Sequence, residues 1–402
     1  MNILFLTTGR MGHIEDHAIY PDLLRRFRDH GHQVYHVSTY ERRVGRKTEY
    51  IEESGTHALR VRIGNLTKCS VIEKGVSTIL IESQYRAAIR KYLSGVKFDL
   101  ILYSTPPITL VGVIRYIKKR DGAKSYLLLK DIFPQNAVDL NMMAKSGLKG
   151  LLYRYFRSKE KQLYAVSDRI GCMSEANVRY VIEHNAEVSP EKVEVCPNCI
   201  EVQDVSVTPQ QRRSIREKYG IPQDKTVFVY GGNLGKPQGI PFIMECLRRM
   251  KEHPGAYFLI VGDGTEFNRL QAFMEKEQPS NMKLLRRLPK DDYDRMIPAC
   301  DVGLIFLDHR FTIPNFPSRL LAYMQAGLPV LAATDPNTDV GQVIEEGGFG
   351  WWCESNRADG FAALADQALA ADLASMGRKA MEYLRENYQA ETGYRIITER
   401  KA

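Results

Sequence analysis

A glycine-rich turn with one lysine is the most informative chemical feature of the sequence. The segment Tyr230 to Gly239 reads YGGNLGKPQG; it follows an apolar run at Thr226 to Tyr230 that predicts a buried strand, and it precedes a helical pattern at Ile240 to Lys251. Glycines let backbone N–H groups approach a ligand, the start of the next helix carries partial positive charge, and Lys236 adds a point charge. The turn therefore indicates a diphosphate site, with a plain tight turn as the alternative.

A second turn points to the same kind of ligand. Residues Ile313 to Arg319 read IPNFPSR and open a predicted helix at Leu320 to Gln325. We expect Ser318 to cap this helix, and Arg319 lies in its first turn, where a cation is unfavourable unless an anion lies beside it. Arg319 thus indicates a bound anion, and the alternative is that it pairs with a nearby carboxylate.

Two segments of the first half carry residues that could act on a substrate. Gly9, Gly12 and His13 form the turn after the first apolar run, where they either line a cleft or make a simple turn. The apolar run from Ser125 to Phe133 predicts a strand that ends in the segment KDIFP. Asp131 of this segment would lie at the carboxyl edge of a sheet, where it could serve as a base or hold a substrate hydroxyl. A capping or purely structural aspartate is the alternative.

Neither candidate metal motif is interpreted as a metal site. Asp292 and Asp294 have DxD spacing, but they lie in an acidic segment, Lys290 to Met296, that predicts a helix start, where the helix dipole explains them. Cys196 and Cys199 have CxxC spacing without a second pair or nearby histidines. The seven cysteines are odd in number and scattered, so we expect reduced thiols, as in a cytoplasmic protein.

The composition is that of a globular protein with two domains. A chain of 402 residues is longer than one hydrophobic core usually grows, which favours two domains of about 200 residues each. No stretch approaches the roughly 18 to 20 consecutive apolar residues of a membrane span. The start of the chain, MNILFLTTGR, lacks the basic region of a signal peptide and predicts a first strand, so a cytoplasmic location is expected.

Positive charge is confined to the first half of the chain. Residues 1–200 contain 31 Lys and Arg against 21 Asp and Glu, net +10, whereas the rest contains 25 against 27, net −2. A basic half attracts polyanions, and an anionic membrane surface is as good a target as nucleic acid. The basic aromatic stretch Leu148 to Arg157 could rest on such a surface or be an ordinary amphipathic helix.

Strands alternate with helices in both halves, which predicts an α/β fold with two doubly wound parallel sheets. The predicted domains are residues 1–200, a linker at 201–213, a second domain at 214–375 and a helical segment at 376–402 that returns toward the first domain. Ligands of such sheets bind beyond the carboxyl ends of the strands, where the turns described above lie.

The residues resemble those of a known enzyme family. Tyr230 to Gly239, Val261 to Gly264, Pro317 to Pro329 and Pro197-Asn198 are similar to segments of the retaining GT-B glycosyltransferases often called family four. The resemblance spans nearly the full chain and is closest to the branch that builds bacterial capsule, O-antigen and exopolysaccharide units, whose members carry a segment like Asp131 to Pro134. It implies two Rossmann-like domains that face each other across a cleft, with a C-terminal helix crossing between them.

The resemblance also assigns roles to residues. Those implied to contact the donor diphosphate are Gly12, Gly232, Asn233, Gly235, Lys236, Gln238, Ser318 and Arg319. Gly262, Arg287 and Leu288 match positions that flank the nucleotide base and ribose, and His13 and Asp131 are the implied catalytic residues on the acceptor side. Many family members hold the donor ribose with the second of two glutamates that have seven residues between them, but the matching positions here are Pro314 and Ala322, and Gln238 replaces a basic residue.

These observations predict a metal-independent glycosyltransferase without a cofactor. The expected donor is a nucleotide-sugar, UDP-linked rather than GDP-linked, and the expected acceptor is a polyprenyl-diphosphate-linked sugar or a glycan in surface polysaccharide biosynthesis. The enzyme would transfer a hexose or an N-acetylhexosamine, with peripheral contact to an anionic membrane and no nucleic acid partner. An epimerase of the same fold and a non-catalytic nucleotide-sugar binding protein are the alternatives.

Overall fold

Continuous apolar runs form the buried strands of two separate sheets. The computed structural model describes residues 1–9, 11–67 and 69–399. The chain divides into two units, of which unit 1 comprises Met1–Glu201 and Ala390–Ala402, and unit 2 comprises Val202–Gln389. Each unit has an α/β architecture, with its own sheet and its own hydrophobic core.

Unit 1 is built on an eight-stranded sheet in the order β3-β4-β2-β1-β5-β6-β7-β8. Its strands are β1 Asn2–Leu6, β2 Gln33–Glu41, β3 Glu49–Glu53, β4 Thr56–Ile63, β5 Leu100–Ser104, β6 Lys124–Leu129, β7 Arg169–Cys172 and β8 Val193–Val195. The pairing is parallel except between β3 and β4, which are antiparallel. The helices are α1 Ile19–Asp29, α2 Val71–Tyr92, α3 Val111–Asp121, α4 Gln135–Asp139, α5 Gly147–Val166 and α6 Glu175–His184.

Unit 2 is built on a six-stranded parallel sheet in the order β11-β10-β9-β12-β13-β14. Its strands are β9 Thr226–Asn233, β10 Ala256–Asp263, β11 Met282–Arg286, β12 Val302–Phe306, β13 Val330–Thr334 and β14 Gly350–Glu354. Its helices are α7 Pro209–Tyr219, α8 Ile240–Arg249, α9 Phe267–Glu277, α10 Lys290–Met296, α11 Arg319–Gln325, α12 Val340–Glu346, α13 Ala358–Ala370 and α14 Leu373–Asn387. Chain order and strand order together place β9 at the centre, where the strand sequence reverses direction.

The C-terminal end of the chain is shared between the two units. Helix α14 belongs to unit 2, whereas the last helix, α15 Ala390–Thr398, belongs to unit 1. Within unit 1, Tyr394 of α15 packs edge-on against Phe27 of α1, with ring centroids 4.9 Å apart. The chain therefore returns to the first unit at Ala390, and residues 400–402 of the predicted C-terminal segment lie outside the described residues.

Several element boundaries differ from those predicted from the sequence. The division falls after Glu201, where the predicted linker begins, but residues 209–213 of that linker form the first turns of α7, because Thr208 and Gln211 make a capping box with Pro209 at the first helical position. The predicted helical segment at 376–402 begins inside helix α14, which starts at Leu373 because Asp372 caps it by accepting from the Ser375 N–H.

The longest helices of the described residues are α2, with 22 residues, and α5, with 20 residues. Among them, none combines enough length with enough hydrophobicity to cross a membrane.

Candidate functional site

The turn after β9 is held in shape by Gln238. The Gln238 Oε1 atom accepts hydrogen bonds from the Asn233 side-chain amide and from the Gly235 N–H, both at 3.1 Å. Gly239 has a left-handed φ of 63°, which allows α8 to begin directly after the turn. Lys236 is exposed and forms no ion pair with any residue that the structure describes. Gln238 thus acts on the shape of the turn, and Lys236 is the side chain left to meet an anion.

Gly262 has a backbone role beside this turn. Strand β10 pairs with β9 so that Gly262 lies opposite Gly232, and a Cβ atom on Gly262 would lie 2.1 Å from the Gly232 carbonyl oxygen. A Cβ on Gly264 would similarly lie 2.4 Å from the Leu234 carbonyl oxygen. Only glycine fits at these two positions, because the two strand ends approach each other closely.

Arg319 lies across the same strand end. Its guanidinium carbon lies 4.3 Å from the centroid of the Tyr230 ring, and its Nη2 atom is 3.3 Å from where a Cβ on Gly232 would be. The Nη1 atom is buried without a hydrogen-bond partner. Within the described part of the chain, no carboxylate lies within 4.0 Å of this guanidinium. The carboxylate pair considered as the alternative for Arg319 is therefore not found there.

Ser318 does not cap helix α11 as the sequence predicted. Its φ of −65° and ψ of −14° are already helical, and its side chain accepts no capping hydrogen bond. A capping residue normally has extended backbone angles, which direct its oxygen back toward the helix N–H groups. The Ser318 side chain is exposed instead, next to Arg319 in the chain.

A buried tyrosine, Tyr323, and a half-buried one, Tyr293, complete this arrangement, and neither was predicted from the sequence. Tyr323, one helical turn after Arg319, accepts from the Gly231 N–H at 3.2 Å and donates to the Leu304 carbonyl at 3.1 Å. The Tyr293 hydroxyl lies only 1.6 Å from where a Cβ on Gly231 would be. Burial raises the pKa of Tyr323 to about 12, so it remains a neutral hydroxyl. The i, i+4 spacing of Arg319 and Tyr323, which places both on one face of a helix, was the signal in the sequence from which Tyr323 could have been predicted.

The residues predicted to flank the nucleotide base lie at the same edge of the sheet. Arg287 and Leu288 follow β11 directly, and β11 pairs with β10, whose end carries Gly262. Arg287 is exposed and Leu288 is half-buried. The neighbouring Arg286 lies over the Phe267 ring, 4.2 Å from its centroid. Unit 2 therefore brings its predicted diphosphate and base residues to the carboxyl ends of β9, β10 and β11.

Asp131 lies in a loop rather than at a strand end. Strand β6 ends at Leu129, earlier than the predicted Phe133, because the Lys130 and Asp131 N–H groups both donate to Thr105 Oγ1, at 3.0 and 3.2 Å. The Asp131 carboxylate accepts from the Asn136 side-chain amide at 2.7 Å. Burial outweighs this hydrogen bond and raises the pKa of Asp131 to about 6. The carboxyl group can therefore exchange a proton near neutral pH.

Gly12 and His13 lie in the loop after β1, in unit 1. The Gly12 carbonyl accepts from Arg60 at 3.2 Å, and the His13 N–H donates to the Asp16 carboxylate at 2.9 Å. The His13 Nε2 atom is 3.9 Å from Glu53, which Arg60 also holds at 2.8 Å. Gly12, His13 and Asp131 thus follow strands of the unit 1 sheet, whereas the other predicted site residues belong to unit 2.

The residues set aside as metal ligands have other partners. Asp292 pairs with Lys218 at 3.0 Å, and Asp294 pairs with Lys290. Cys196 and Cys199 are buried free thiols, and burial raises the pKa of both. All four side chains are thus explained by local packing and charge.

The basic aromatic stretch forms the first half of α5. Leu151, Leu152 and Tyr155 are exposed there, whereas Phe156 packs against Phe133 with ring centroids 5.1 Å apart. The side chains of residues 148 and 149, which belong to the predicted stretch, lie outside the described residues. The helix therefore presents apolar side chains to solvent beside its cations.

The fold and the site define a class of protein. Residues 211–389, nearly all of unit 2, match the family model described as "Glycosyl transferases group 1". The chain also aligns over 98% or more of its length with solved structures of glycosyltransferases, which shows the GT-B fold with its two Rossmann-like domains. The chain therefore has the GT-B fold, and its unit 2 is similar to the group 1 glycosyl transferases.

Two bacterial proteins named as glycosyltransferases are similar to most of this chain. The chain is 28% identical over 295 residues to "Probable glycosyltransferase WbjE" of Pseudomonas aeruginosa, covering 72% of this chain and 71% of that one. It is 23% identical over 250 residues to "Putative colanic acid biosynthesis glycosyl transferase WcaI" of Escherichia coli, covering 62% and 60% of the two chains.

Two solved structures show the same fold at 15% identity each. WaaG, described as a glycosyltransferase involved in lipopolysaccharide biosynthesis, superimposes with a TM-score of 0.69 over 99% of this chain and 100% of that chain. HepE of Anabaena, solved in complex with UDP-glucose, superimposes with a TM-score of 0.67 over 99% and 98%.

Proposed function

We propose that this chain transfers a sugar from a nucleotide-sugar to a lipid-linked or glycan acceptor, with retention of configuration at the anomeric carbon. In this proposal unit 2 binds the donor and unit 1 supplies the acceptor side. The product belongs to a surface polysaccharide, since WcaI is named for colanic acid biosynthesis and WaaG for lipopolysaccharide biosynthesis.

The observation that carries the proposal is the buried, unpaired Nη1 atom of the Arg319 guanidinium. A buried Nη1 atom without a partner is costly unless a ligand supplies an acceptor. The group lies on the Tyr230 ring, so its planar fork is fixed before a ligand arrives. A diphosphate oxygen beside Gly232 would satisfy it, and the charge would neutralise the leaving nucleoside diphosphate as the glycosidic bond breaks.

The other donor contacts follow from the same strand ends. Lys236, the exposed Ser318 hydroxyl and the backbone N–H groups from Gly232 to Gly235 would contact the diphosphate, with Asn233 fixed by Gln238. The fixed Arg319, the exposed Lys236 and a helix start supply the positive charge that a metal ion supplies in other transferases, so we propose a metal-independent reaction.

The nucleotide base and ribose would lie toward Gly262, Arg287 and Leu288 at the ends of β10 and β11. Uridine is the favoured base, since HepE was solved with UDP-glucose. The transferred group is a hexose or an N-acetylhexosamine.

Asp131 and His13 are the proposed catalytic residues of unit 1. A carboxyl group with a pKa near 6 is mostly ionised at neutral pH and can accept the proton of an acceptor hydroxyl. His13 is exposed and can donate a hydrogen bond to the sugar. A polyprenyl-diphosphate-linked acceptor would bring the chain to the inner face of the cell membrane, and the net charge of +10 on residues 1–200 favours that surface.

Calorimetric titration with UDP, GDP and their sugars, without metal, tests the donor site. We expect one nucleotide series to bind, and Lys236→Ala and Arg319→Ala to weaken that binding by roughly 10-fold or more each, as lost charge-assisted hydrogen bonds do. Lys276→Ala, which removes an exposed lysine of α9, is the matched control and should bind like the parent. Equal binding by all three variants would contradict the proposed site.

Turnover separates an enzyme from a binding protein. Ala322 occupies the position at which many members of the resembled family hold the ribose with a glutamate. A non-catalytic nucleotide-sugar binding protein is therefore the second candidate. Release of nucleoside diphosphate only in the presence of membrane extract, and its loss in Asp131→Asn, would support transfer. Tight donor binding with no release under any acceptor would support the binder.

A further inference from the structure

A groove of about 560 Å³ lies between helices α2 and α5 of unit 1, outside the sites described above. The α2 side contributes Ile79, Arg86 and Arg90, and the α5 side contributes Tyr155 and Lys159. Thr109, just before α3, forms the remaining wall. The groove therefore combines apolar side chains with three cations.

The three cations of the groove are not neutralised by the protein. Within the described residues, neither Arg86, Arg90 nor Lys159 has a carboxylate within 4.0 Å. Glu82 also lines the groove, but its carboxylate packs against Gly112 in the first turn of α3, where the helix dipole stabilises an acid. The groove consequently keeps an excess of positive charge.

Thr109 supplies an independent sign of a ligand. Its residue is 3% exposed, and its Oγ1 atom is buried without a hydrogen-bond partner. Leaving a buried hydroxyl unpaired is unfavourable. A ligand oxygen in the groove would pair it.

Exposed apolar side chains lie on both helices near the groove, although only Ile79 among them lines it. Val76, Ile79 and Leu80 follow one another on one face of α2 and are 53%, 61% and 47% exposed. Leu151 and Leu152, one turn before Tyr155 on α5, are 58% and 51% exposed. Apolar side chains of this size, grouped beside cations, suit the boundary between lipid headgroups and acyl chains.

The groove is also connected to the proposed acceptor side. Thr105, which accepts from the Asp131 N–H, belongs to the same loop as Thr109. Phe133, two residues after Asp131, packs against Phe156 of α5. A ligand in the groove would therefore lie against the loops that hold Asp131.

We infer that the groove between α2 and α5 is a docking site for the phosphate headgroup of an anionic membrane lipid. Arg86, Arg90 and Lys159 bind the phosphate together with the Thr109 hydroxyl, and Ile79, Leu80, Leu151 and Leu152 enter the acyl boundary. The headgroup site stands on its own geometry, and only its use in presenting the acceptor rests on the proposed function.

Vesicle sedimentation tests the site. The full-length chain is mixed with vesicles of phosphatidylcholine alone and of phosphatidylcholine with phosphatidylglycerol, and we expect binding only to the second. The variant Arg86→Gln/Arg90→Gln/Lys159→Gln should lose roughly 100-fold in affinity, since each basic residue near an anionic surface contributes about fivefold. The control Lys97→Gln/Lys119→Gln/Lys124→Gln removes the same charge from exposed lysines of unit 1 and should lose no more than about fivefold.

Each other outcome of this experiment decides against the site. Equal losses in the two triple variants would mean that only the overall charge of unit 1 matters. Inorganic phosphate that binds as tightly as the vesicles, and displaces them, would mean a free phosphate site.

Thr109→Val tests the hydroxyl without changing charge. We expect it to weaken vesicle binding by about 3-fold to 10-fold while leaving the thermal midpoint unchanged or higher, because an unpaired buried hydroxyl is removed. Unchanged vesicle binding would overturn the role of Thr109. UDP binding of the groove variants, measured by calorimetry, should equal that of the parent, so a failure here is distinguishable from a failure of the donor site.

Discussion

The Arg319 guanidinium lies on the ring of Tyr230, 4.3 Å from its centroid, while the Tyr230 hydroxyl donates to the Asn233 carbonyl at 2.7 Å. One side chain therefore supports the cation with its ring and the turn with its hydroxyl. Because the two parts of Tyr230 act on different groups, substitutions can separate them.

Tyr230→Phe and Tyr230→Leu should differ in nucleotide affinity. Tyr230→Phe keeps the ring under Arg319, so we expect less than about a threefold change in the dissociation constant for the preferred nucleotide. Tyr230→Leu removes the stacking contact, which is worth about 1–2 kcal/mol when desolvated, and should weaken binding by roughly 10-fold. Calorimetry measures both, and equal affinities would mean that the ring does not orient the guanidinium.

Gln238→Glu should separate the shape of the turn from its charge. A carboxylate keeps the oxygen that accepts from Asn233 and Gly235, so the thermal midpoint should stay close to that of the parent. The added negative charge would repel a diphosphate, and we expect roughly 10-fold weaker binding. Gln238→Ala, by contrast, loses both hydrogen bonds and should destabilise unit 2 by about 1–3 kcal/mol. If Gln238→Glu binds the nucleotide normally, the diphosphate does not lie at this turn.

Gly262→Ala tests the close approach of β9 and β10. A methyl group 2.1 Å from the Gly232 carbonyl forces the backbone to shift, and overpacking of this kind costs about 1–3 kcal/mol. The same shift should weaken nucleotide binding. Gly360→Ala is the control, since its new methyl would lie 3.5 Å or more from other atoms inside helix α13, and it should stabilise by about 0.5–1 kcal/mol. Chemical denaturation that ranks the two variants alike would contradict the explanation.

The sequence predicted the architecture better than it predicted the site. Apolar runs and alternating elements are enough for two parallel sheets, because burial on both faces demands such runs. Glycines and cations after strands located the turn at Gly232 and Lys236. The sequence could not reveal that Gln238 turns inward, that Ser318 is already helical or that Tyr293 covers Gly231, since these depend on contacts between residues far apart in the chain. Strands β3 and β4 were missed as well, because their polar residues interrupt the apolar pattern.

Asp131 should make stability depend on pH in a defined direction. Its pKa in the folded chain is about 6, above the ordinary value of 3.8, because burial disfavours the ionised carboxylate. The folded state therefore binds the carboxyl proton of Asp131 more tightly than the unfolded state does. The protonated carboxyl contributes fully to the free energy of unfolding below about pH 4, and this contribution is lost as the pH rises through 6. Asp131→Asn removes the ionisation, and its advantage over the parent should grow from near zero at pH 4 to at most about 3 kcal/mol above pH 7.

Denaturation at several pH values measures this difference, with Asp224→Asn, at an exposed carboxylate of unit 2, as the control that should show no such growth. If the stability advantage of Asp131→Asn is constant from pH 4 to pH 8, the pKa of the Asp131 carboxyl is not raised in the folded chain. It would then ionise as an ordinary exposed aspartate does, and such a carboxylate is too weak a base to accept a proton readily from an acceptor hydroxyl.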